Sequence, residues 1–264
     1  MSDVQHPAIR TDVPHSARIW NYWLGGKDNY EIDRTVGDAS LAIDPDIRTM
    51  AMESRQFLIR TVRTLAGELG VRQFLDIGSG LPVTRNTHEI AQELNPRSRV
   101  VYVDNDPLVL AHGRALLSSG AEGTITFSEH DFHQPDRIVA DVRSDLDFGE
   151  PIAVMFMGVL GHARVAGDLE RIVGALMAEL PAGSYLVLWD GTTDSDAYVK
   201  LWQEYGKSGG VPYIPRPKEQ LLAAFDGLRL LAPGFVPISK WGIDPAAMEF
   251  APDISAYGGV ARKP

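Results

Sequence analysis

The sequence predicts an α/β fold, a doubly wound sheet that is mostly parallel, with helices in front of it and an antiparallel strand at its C-terminal end. Three observations predict this fold. After Gly70, short apolar runs alternate with helical patterns; a long helical stretch precedes the first run; and the last two extended segments follow each other without a helix between them. Apolar runs without polar alternation are typical of strands buried on both faces, and the intervening helices are typical of right-handed parallel crossovers.

The sequence of the N-terminal region predicts a tail followed by helices. Residues 1–15 lack apolar periodicity, and we expect a flexible tail there. From Ser16 to about Leu69 the pattern is helical, and its clearest part repeats at three- and four-residue steps. The repeating positions are Ile47, Met50, Ala51, Ser54, Leu58, Val62, Leu65 and Leu69. We therefore expect a helical cap or lid over residues 16–70 and a sheet domain over residues 71–264.

Five apolar runs predict the parallel strands: Phe74–Ile77, Val100–Val103, Ile125–Phe127, Ile152–Met157 and Tyr185–Trp189. Helices are predicted at Thr87–Leu94, Pro107–Leu117, Pro135–Val142, Asp168–Leu180 and Lys218–Phe225. Asp106 before Pro107 is a predicted N-cap, and Asn86 with Glu89 has the spacing of a capping box. The extended segments Leu228–Ile238 and Ser255–Arg262 lack a crossover helix, so they must pair antiparallel or lie apart.

Composition narrows the function classes. The 264 residues include no cysteine, which excludes a disulfide scaffold and a thiolate-bound metal, and the formal net charge of −10 disfavours binding to nucleic-acid phosphates. The longest apolar stretch, Ile152–Gly161, is about half of the roughly 20 residues that cross a bilayer. We expect a cytoplasmic protein with no membrane, nucleic-acid or metal partner. The oligomeric state is not predicted by these features.

Chemistry-bearing residues follow three successive predicted strands. The first strand runs into the glycine loop Asp76–Pro82, the second ends at Asp104, and the third ends in Glu129–Phe132. Glycines let a ligand approach the backbone, and an acid at the next strand end can accept both hydroxyls of a ribose. Because parallel strands end at the same sheet edge, these residues predict one nucleoside crevice.

The glycine loop alone would be weak support for this crevice. A G-x-G sequence also occurs in ordinary strand-to-helix turns, and the dinucleotide rule asks for a third glycine where this chain has Val83. A nicotinamide oxidoreductase shares the sheet and the acidic ribose contact, and it is disfavoured by Val83 and by the terminal antiparallel strands.

The same residues, together with Leu180–Leu188, resemble the Rossmann-like S-adenosylmethionine-dependent methyltransferases. More narrowly, the N-terminal segment 17–30, which reads ARIWNYWLGGKDNY, and the ending Tyr257–Lys263 resemble a bacterial group labelled S-adenosyl methyltransferase. The resemblance spans residues 16–264 and implies S-adenosylmethionine as the cofactor, without identifying the acceptor. Relatives often carry a third glycine at the position of Pro82, which cannot donate a backbone N–H.

The resemblance implies a set of cofactor contacts. Gly78, Ser79 and Gly80 would lie against the methionine part, Asp104 would bind the ribose, Asn105 would flank the adenine, and Asp131 with Phe132 would contact its edge. The full set of expected cofactor-binding residues is Tyr22, Lys27, Asp76, Gly78, Ser79, Gly80, Asp104, Asn105, Asp131, Phe132 and Gly158.

The aromatic residues Trp20, Tyr22 and Trp23 can offer ring faces to a sulfonium cation, or they can simply anchor their helix to the core. His162, after the fourth strand, is the expected catalytic base for a hydroxyl acceptor, the alternative being an imidazole that closes its loop. Two functions remain open. One is a methyltransferase acting on a small molecule, in which we expect the N-terminal helices and the aromatic segment Tyr198–Tyr213 to form a lid and acceptor pocket over the strand ends. The other is a non-catalytic sensor that binds the nucleoside and contacts a protein partner.

Overall fold

The computed structural model describes residues 10–120 and 122–264. Three helices come first: α1 (Ser16–Trp23), α2 (Glu31–Ile43) and α3 (Ile47–Arg63). The expected tail over 1–15 lies outside the described residues for positions 1–9. Positions 10–15 contact α1, because the Arg18 guanidinium donates to the carbonyls of Arg10 and Val13, and His15 is the N-cap of α1.

Strands and helices then alternate. The strands are β1 (Gln73–Ile77), β2 (Arg99–Asp104), β3 (Thr124–Glu129), β4 (Ala153–Met157), β5 (Tyr185–Gly191), β6 (Arg229–Leu230), β7 (Val236–Pro237) and β8 (Ala256–Arg262). The later helices are α4 (Thr87–Leu94), α5 (Pro107–Leu116), α6 (Pro135–Val142), α7 (Asp168–Glu179), α8 (Asp196–Lys207) and α9 (Lys218–Ala223). Both predicted caps are present: Asp106 accepts from the Leu108 N–H, and Asn86 with Glu89 forms a capping box.

The sheet has the strand order β3-β2-β1-β4-β5-β8-β6, with β7 also paired to β8. Strands β1 to β5 run parallel, and β8 pairs antiparallel with β5, so the predicted mixed sheet is confirmed. The order reverses beside β1, whose neighbours are β2 and β4. Such a switch point leaves a crevice at the carboxyl ends of the strands, because the following helices diverge to opposite faces.

Each face of the sheet has its own hydrophobic core. Phe74 belongs to the core that includes residues of α1, α3 and α8, whereas its neighbour Leu75 belongs to the core of α6 and α7. Side chains alternate across a strand, so consecutive apolar residues bury on opposite faces. The N-terminal helices therefore share a core with the sheet, and α1 is held over the strand ends.

The structure departs from the predicted elements in three places. The aromatic segment after β5 begins with helix α8, whose buried face is Tyr198, Leu201, Trp202 and Tyr205. Leu69 is exposed because α3 ends in a π turn over Thr64–Glu68, which rotates it away from the buried stripe. The extended segment Leu228–Ile238 is two short strands, β6 and β7, joined by a turn.

Among the residues that the structure describes, no helix has both the length and the apolar composition that a bilayer crossing requires.

Candidate functional site

A cavity of about 430 Å³ lies at the carboxyl ends of the parallel strands, below α1 and beside α8. It lies where the strand order reverses, as the topology requires. Most of the residues predicted from the sequence line it: Asp76, Gly78, Ser79, Gly80, Asp104, Asn105, Asp131, Phe132, Gly158 and His162. The strand ends at β1, β2 and β3 therefore come together in one space.

The glycine loop turns sharply between β1 and the following segment. Gly78 and Gly80 both have φ of +67°, a region that favours glycine. A Cβ on Gly78 would clash with the Val159 side chain, whereas a Cβ at Gly80 would meet nothing within 4 Å. The loop thus packs against the chain after β4 at Gly78 and faces open space at Gly80, which leaves its backbone accessible to a ligand.

Asp104 holds the end of β2 to this loop. One carboxylate oxygen accepts from the Gly80 N–H at 3.0 Å, and the other accepts from the Asp106 N–H at 3.0 Å. Burial raises the pKa of Asp104, and these two backbone hydrogen bonds oppose that rise. Each carboxylate oxygen accepts more than one hydrogen bond, so Asp104 keeps acceptor capacity toward the cavity.

The end of β3 supplies a carboxylate and an aromatic ring. Asp131 accepts from the His133 backbone N–H at 2.9 Å and contacts the His133 ring nitrogen Nδ1 at 2.7 Å. The His133 ring stacks on Phe132, with their centroids 4.2 Å apart. This end of the cavity therefore offers a flat apolar face beside a hydrogen-bond acceptor.

The cavity lining near the end of β1 includes one acidic and one basic side chain, Asp76 and Arg55. Burial raises the pKa of Asp76 to about 6, and the Thr87 hydroxyl donates to its carboxylate at 2.7 Å. Arg55, from α3, also lines the cavity and donates to the carbonyls of Thr84 and Arg85. Within the described part of the chain, the buried Nε of Arg55 has no hydrogen-bond partner. A buried donor without a partner is costly, so a ligand acceptor that reached Nε would stabilise this residue.

His162 lies beyond β4 with both ring nitrogens in contact. Nδ1 is 3.0 Å from the Pro212 carbonyl, and Nε2 is 3.1 Å from the Ser16 hydroxyl. A carbonyl only accepts, so Nδ1 carries the proton and Nε2 presents a lone pair. Burial lowers the pKa of His162 to about 4, which keeps the ring neutral at physiological pH. With Nδ1 protonated, Nε2 accepts from the Ser16 hydroxyl, so His162 holds α1 to the sheet domain, and a ligand hydroxyl reaches Nε2 only by replacing that of Ser16.

The end of the cavity near β4 and β5 is aromatic. Trp20 of α1 lies against Trp189 of β5 with ring centroids 6.0 Å apart, and Trp202 of α8 lies against Tyr213 at 4.1 Å. Tyr198 completes this wall. We call these five residues, Trp20, Trp189, Tyr198, Trp202 and Tyr213, the aromatic wall.

Tyr22 and Lys27 lie elsewhere. Neither belongs to the cavity lining in residues 10–120 and 122–264; the Tyr22 hydroxyl donates to Asp38 at 2.7 Å, and Lys27 is exposed. Helical periodicity explains this placement, because Trp20 faces the cavity and Tyr22, two residues later, points about 200° around the helix. The N-terminal sequence has a structural role as well: Arg18 forms a buried ion pair with Asp33 at 2.8 Å.

Sequence reasoning missed several lining residues. Arg55 is one of several arginines on α3, and its sequence context does not distinguish it. Trp202 and Tyr213 belong to the aromatic segment that was expected to form part of the lid and acceptor pocket, without either residue being singled out. The signal that could have placed α8 is the spacing of Tyr198, Leu201, Trp202 and Tyr205, which follows one helical face.

Comparisons with known proteins agree with this geometry. A profile of the family described as S-adenosyl methyltransferase matches residues 2–264. A DUF574 family protein from Streptomyces avermitilis MA-4680 is 39% identical, with a TM-score of 0.91 and coverage of 96% of this chain and 99% of that chain. A candidate methyltransferase from Thermobifida fusca YX is 37% identical, with a TM-score of 0.84 and coverage of 99% of both chains.

A more distant likeness concerns the fold alone. Human N-acetylserotonin methyltransferase, solved with S-adenosylmethionine, is 14% identical with a TM-score of 0.50, over 92% of this chain and 62% of that chain. A search of curated protein sequences finds no match. None of these comparisons supports an oxidoreductase or a non-catalytic sensor. The family match over nearly the whole chain and the two similar structures show that this protein belongs to the S-adenosyl methyltransferase family, with S-adenosylmethionine as its cofactor.

Proposed function

We propose that the protein methylates a small-molecule acceptor, with the cofactor along the ends of β3, β2 and β1 and the acceptor at the ends of β4 and β5. The observation that carries this proposal is the division of one cavity into two halves. The half at β1 to β3 holds the glycine loop, Asp104 and Asp131, whereas the half at β4 and β5 is the aromatic wall with His162. The polar nucleoside of the cofactor suits the half at β1 to β3, and an apolar acceptor suits the half at β4 and β5.

The residues present fit S-adenosylmethionine. Phe132 and Asp131 suit the adenine, Asp104 suits the ribose hydroxyls, and the open space at Gly80 leaves room beside the backbone. The amino acid end carries a carboxylate and an ammonium group, and Arg55 and Asp76 offer the complementary charges. Over the described residues, the Nε of Arg55 has no hydrogen-bond partner, which is consistent with an anionic partner that this charge would bind.

When bound, S-adenosylmethionine supplies a methyl group on a positively charged sulfur; an electron pair of the acceptor forms the new bond, the carbon–sulfur pair stays on sulfur, and the acceptor loses its proton. Alignment of the reacting groups provides most of the acceleration in such a displacement. The residues of this chain therefore act mainly by positioning.

We assign His162 as the group that receives a hydroxyl proton. Its Nδ1–H is fixed by the Pro212 carbonyl, so Nε2 is the acceptor, and the hydroxyl of the substrate would take the place of the Ser16 hydroxyl that donates to it. General bases contribute roughly 10²- to 10⁴-fold in rate, and burial, which disfavours the imidazolium form, places His162 toward the lower end of that range.

Helix α1 and the segment from α8 to Tyr213 form the cover of this cavity in our proposal. Trp20 comes from α1, Trp202 from α8 and Tyr213 from the loop after it, and all three line the same space. Covers of this type exclude water and set acceptor specificity.

Calorimetric titration with S-adenosylmethionine and S-adenosylhomocysteine tests the proposal. We expect both to bind, and we expect formation of S-adenosylhomocysteine to rise when a mixture of small metabolites is added. Failure of both nucleosides to bind the folded protein would overturn the proposal. Binding without turnover, accompanied by a change in association with a protein partner, would favour a sensor.

A further inference from the structure

The chemistry of the acceptor can be read from the aromatic wall, on the basis of the function proposed above. The strand order β3-β2-β1-β4-β5 places β4 and β5 on the far side of β1 from the nucleoside residues. The acceptor must therefore lie against Met157, Trp189 and the side chains that α1 and α8 bring over them.

The aromatic wall meets the cavity mainly through Trp20. Trp189, Tyr198, Trp202 and Tyr213 are each at most 5% exposed and pack on one another or on Trp20, whereas Trp20 is partly exposed. Aromatic ring pairs gain affinity beyond the area that they bury. A planar aromatic ligand stacked on Trp20 thus gains a contact that a saturated ring of the same size does not.

The charges at this end disfavour an anionic acceptor among the buried rings. Over the described residues, the arginines that line the cavity are Arg55 and Arg164, and no lysine lines it. Arg55 is assigned above to the amino acid end of the cofactor, and Arg164 is exposed to solvent. A carboxylate or phosphate held among the rings of the aromatic wall, away from Arg164, would be desolvated without a partner, which is unfavourable.

A cationic acceptor is disfavoured for a different reason. The cofactor already brings a positive sulfonium to the same cavity, and a second cation close by would be repelled. Asp190, behind the wall, accepts a hydrogen bond from the Tyr213 hydroxyl and does not belong to the cavity lining over the described residues, and burial raises its pKa to about 7, which reduces its charge near neutral pH. A neutral acceptor avoids both the desolvation of an unpaired anion and the repulsion between two cations.

Polar groups beside the wall favour a hydroxyl donor. Nε2 of His162 accepts from the Ser16 hydroxyl, and the His162 ring lies edge-on to Tyr213 with centroids 5.4 Å apart. A ligand hydroxyl can replace that of Ser16 as the donor, because it is the same kind of group. The cavity volume of about 430 Å³ lies in the lower part of the usual range of roughly 300–1,000 Å³ for one ligand. Because the cofactor shares it, the acceptor must be small.

We propose that the acceptor is a neutral aromatic alcohol of one or two rings, stacked on the aromatic wall with its hydroxyl toward His162 and Ser16.

Four probes of matched shape test this proposal: naphthol, its saturated counterpart decalinol, naphthoate and naphthylmethylammonium. Each is titrated calorimetrically at neutral pH into protein saturated with S-adenosylhomocysteine. We expect naphthol to bind roughly 2- to 10-fold more tightly than decalinol, because one aromatic contact is lost, and at least about tenfold more tightly than the two charged probes, because each brings an unpaired charge. Equal or tighter binding of a saturated or charged probe overturns the proposal, as does binding of none of them. Failure of S-adenosylhomocysteine itself to bind would instead overturn the proposed function.

Two exposed valines provide a matched pair of variants that should fold. Val211 lines the cavity at this end, whereas Val165 is exposed outside its lining. Val211→Lys should raise the affinity for naphthoate several-fold at low salt, and Val165→Lys should leave it unchanged. Trp20→Leu should weaken naphthol binding about tenfold while binding of S-adenosylhomocysteine changes less than about twofold. An unchanged naphthoate affinity in Val211→Lys, or an unchanged naphthol affinity in Trp20→Leu, overturns the placement of the acceptor.

Discussion

The Asp104 carboxylate at the end of β2 accepts a hydrogen bond from the backbone N–H of Gly80 in the loop after β1, at 3.0 Å. The residue expected to bind the ribose thus also holds the glycine loop that would carry the methionine part. Two strand ends are joined through one side chain, so a change at Asp104 alters both the contact and the loop. Binding of the cofactor should be sensitive to this position.

Asp104→Ala should lower the affinity for S-adenosylhomocysteine about 10- to 100-fold, because hydrogen bonds to a charged group contribute about 1.5–3 kcal/mol. Calorimetric titration measures this change. The control is Glu249→Ala, an exposed acid outside the cavity lining, which should bind as the parent does. Unchanged affinity in Asp104→Ala would show that this carboxylate does not contact the cofactor.

Arg55→Met should weaken binding of S-adenosylhomocysteine and spare binding of methylthioadenosine, which lacks the amino acid end. The Arg55 guanidinium has a buried Nε without a partner in the described residues, and it is the cationic group nearest Asp76 at the cavity floor. We expect the affinity for S-adenosylhomocysteine to fall about tenfold or more. Arg63→Met on the exposed side of α3 is the matched control. Equal losses for both ligands would indicate a general structural effect instead.

His162→Gln should lower kcat by roughly 10²-fold or more with a hydroxyl acceptor, while the affinity for S-adenosylhomocysteine stays within about twofold. Burial holds the pKa of His162 at about 4, so the parent enzyme should show no decline in rate from His162 protonation between pH 6 and pH 9. His112→Gln, outside the cavity lining, is the control. A parent profile that falls with a midpoint near pH 6.5 would contradict the buried neutral ring.

Asp190→Asn should stabilise the protein at alkaline pH. Burial raises the pKa of Asp190 from 3.8 to about 7, so the folded state holds a proton that the unfolded state has lost between these values. Stability from this group therefore falls as pH rises from about 4 through 7. The amide keeps an acceptor for the Tyr213 hydroxyl and does not ionise. The gain in Tm should be larger at pH 8 than at pH 5, and exposed Asp226→Asn should show no such difference.

Asp33→Asn should destabilise the fold strongly. Asp33 forms a buried ion pair with Arg18 at 2.8 Å and accepts from the backbone N–H groups of His15 and Tyr30. Breaking one side of a buried pair costs about 3–5 kcal/mol, because the other charge is left uncompensated. Chemical denaturation measures the loss. The exposed pair of Arg10 with Asp12 is the comparison, and Asp12→Asn should cost less than about 1 kcal/mol.

Local signals in the sequence were sufficient for most of the sheet domain. The predicted helix Thr87–Leu94 matches α4, and the run Tyr185–Trp189 lies within β5, because capping residues and continuous apolar runs act over short stretches of chain. The chain after β5 was harder to predict. Its aromatic residues suit both a core helix and a loop, and only the packing of Trp202 on Tyr213 distinguishes them.

The sequence by itself determined the fold class and the three strand ends of the nucleoside half, because parallel strands must end at one edge. Only the tertiary structure decided that Arg55 reaches the cavity, that Trp20 faces it while Tyr22 turns to Asp38, and that His162 contacts Ser16. These contacts join residues distant in the chain, and their partners are selected by how α1, α3 and α8 pack over the sheet. No local periodicity carries that information.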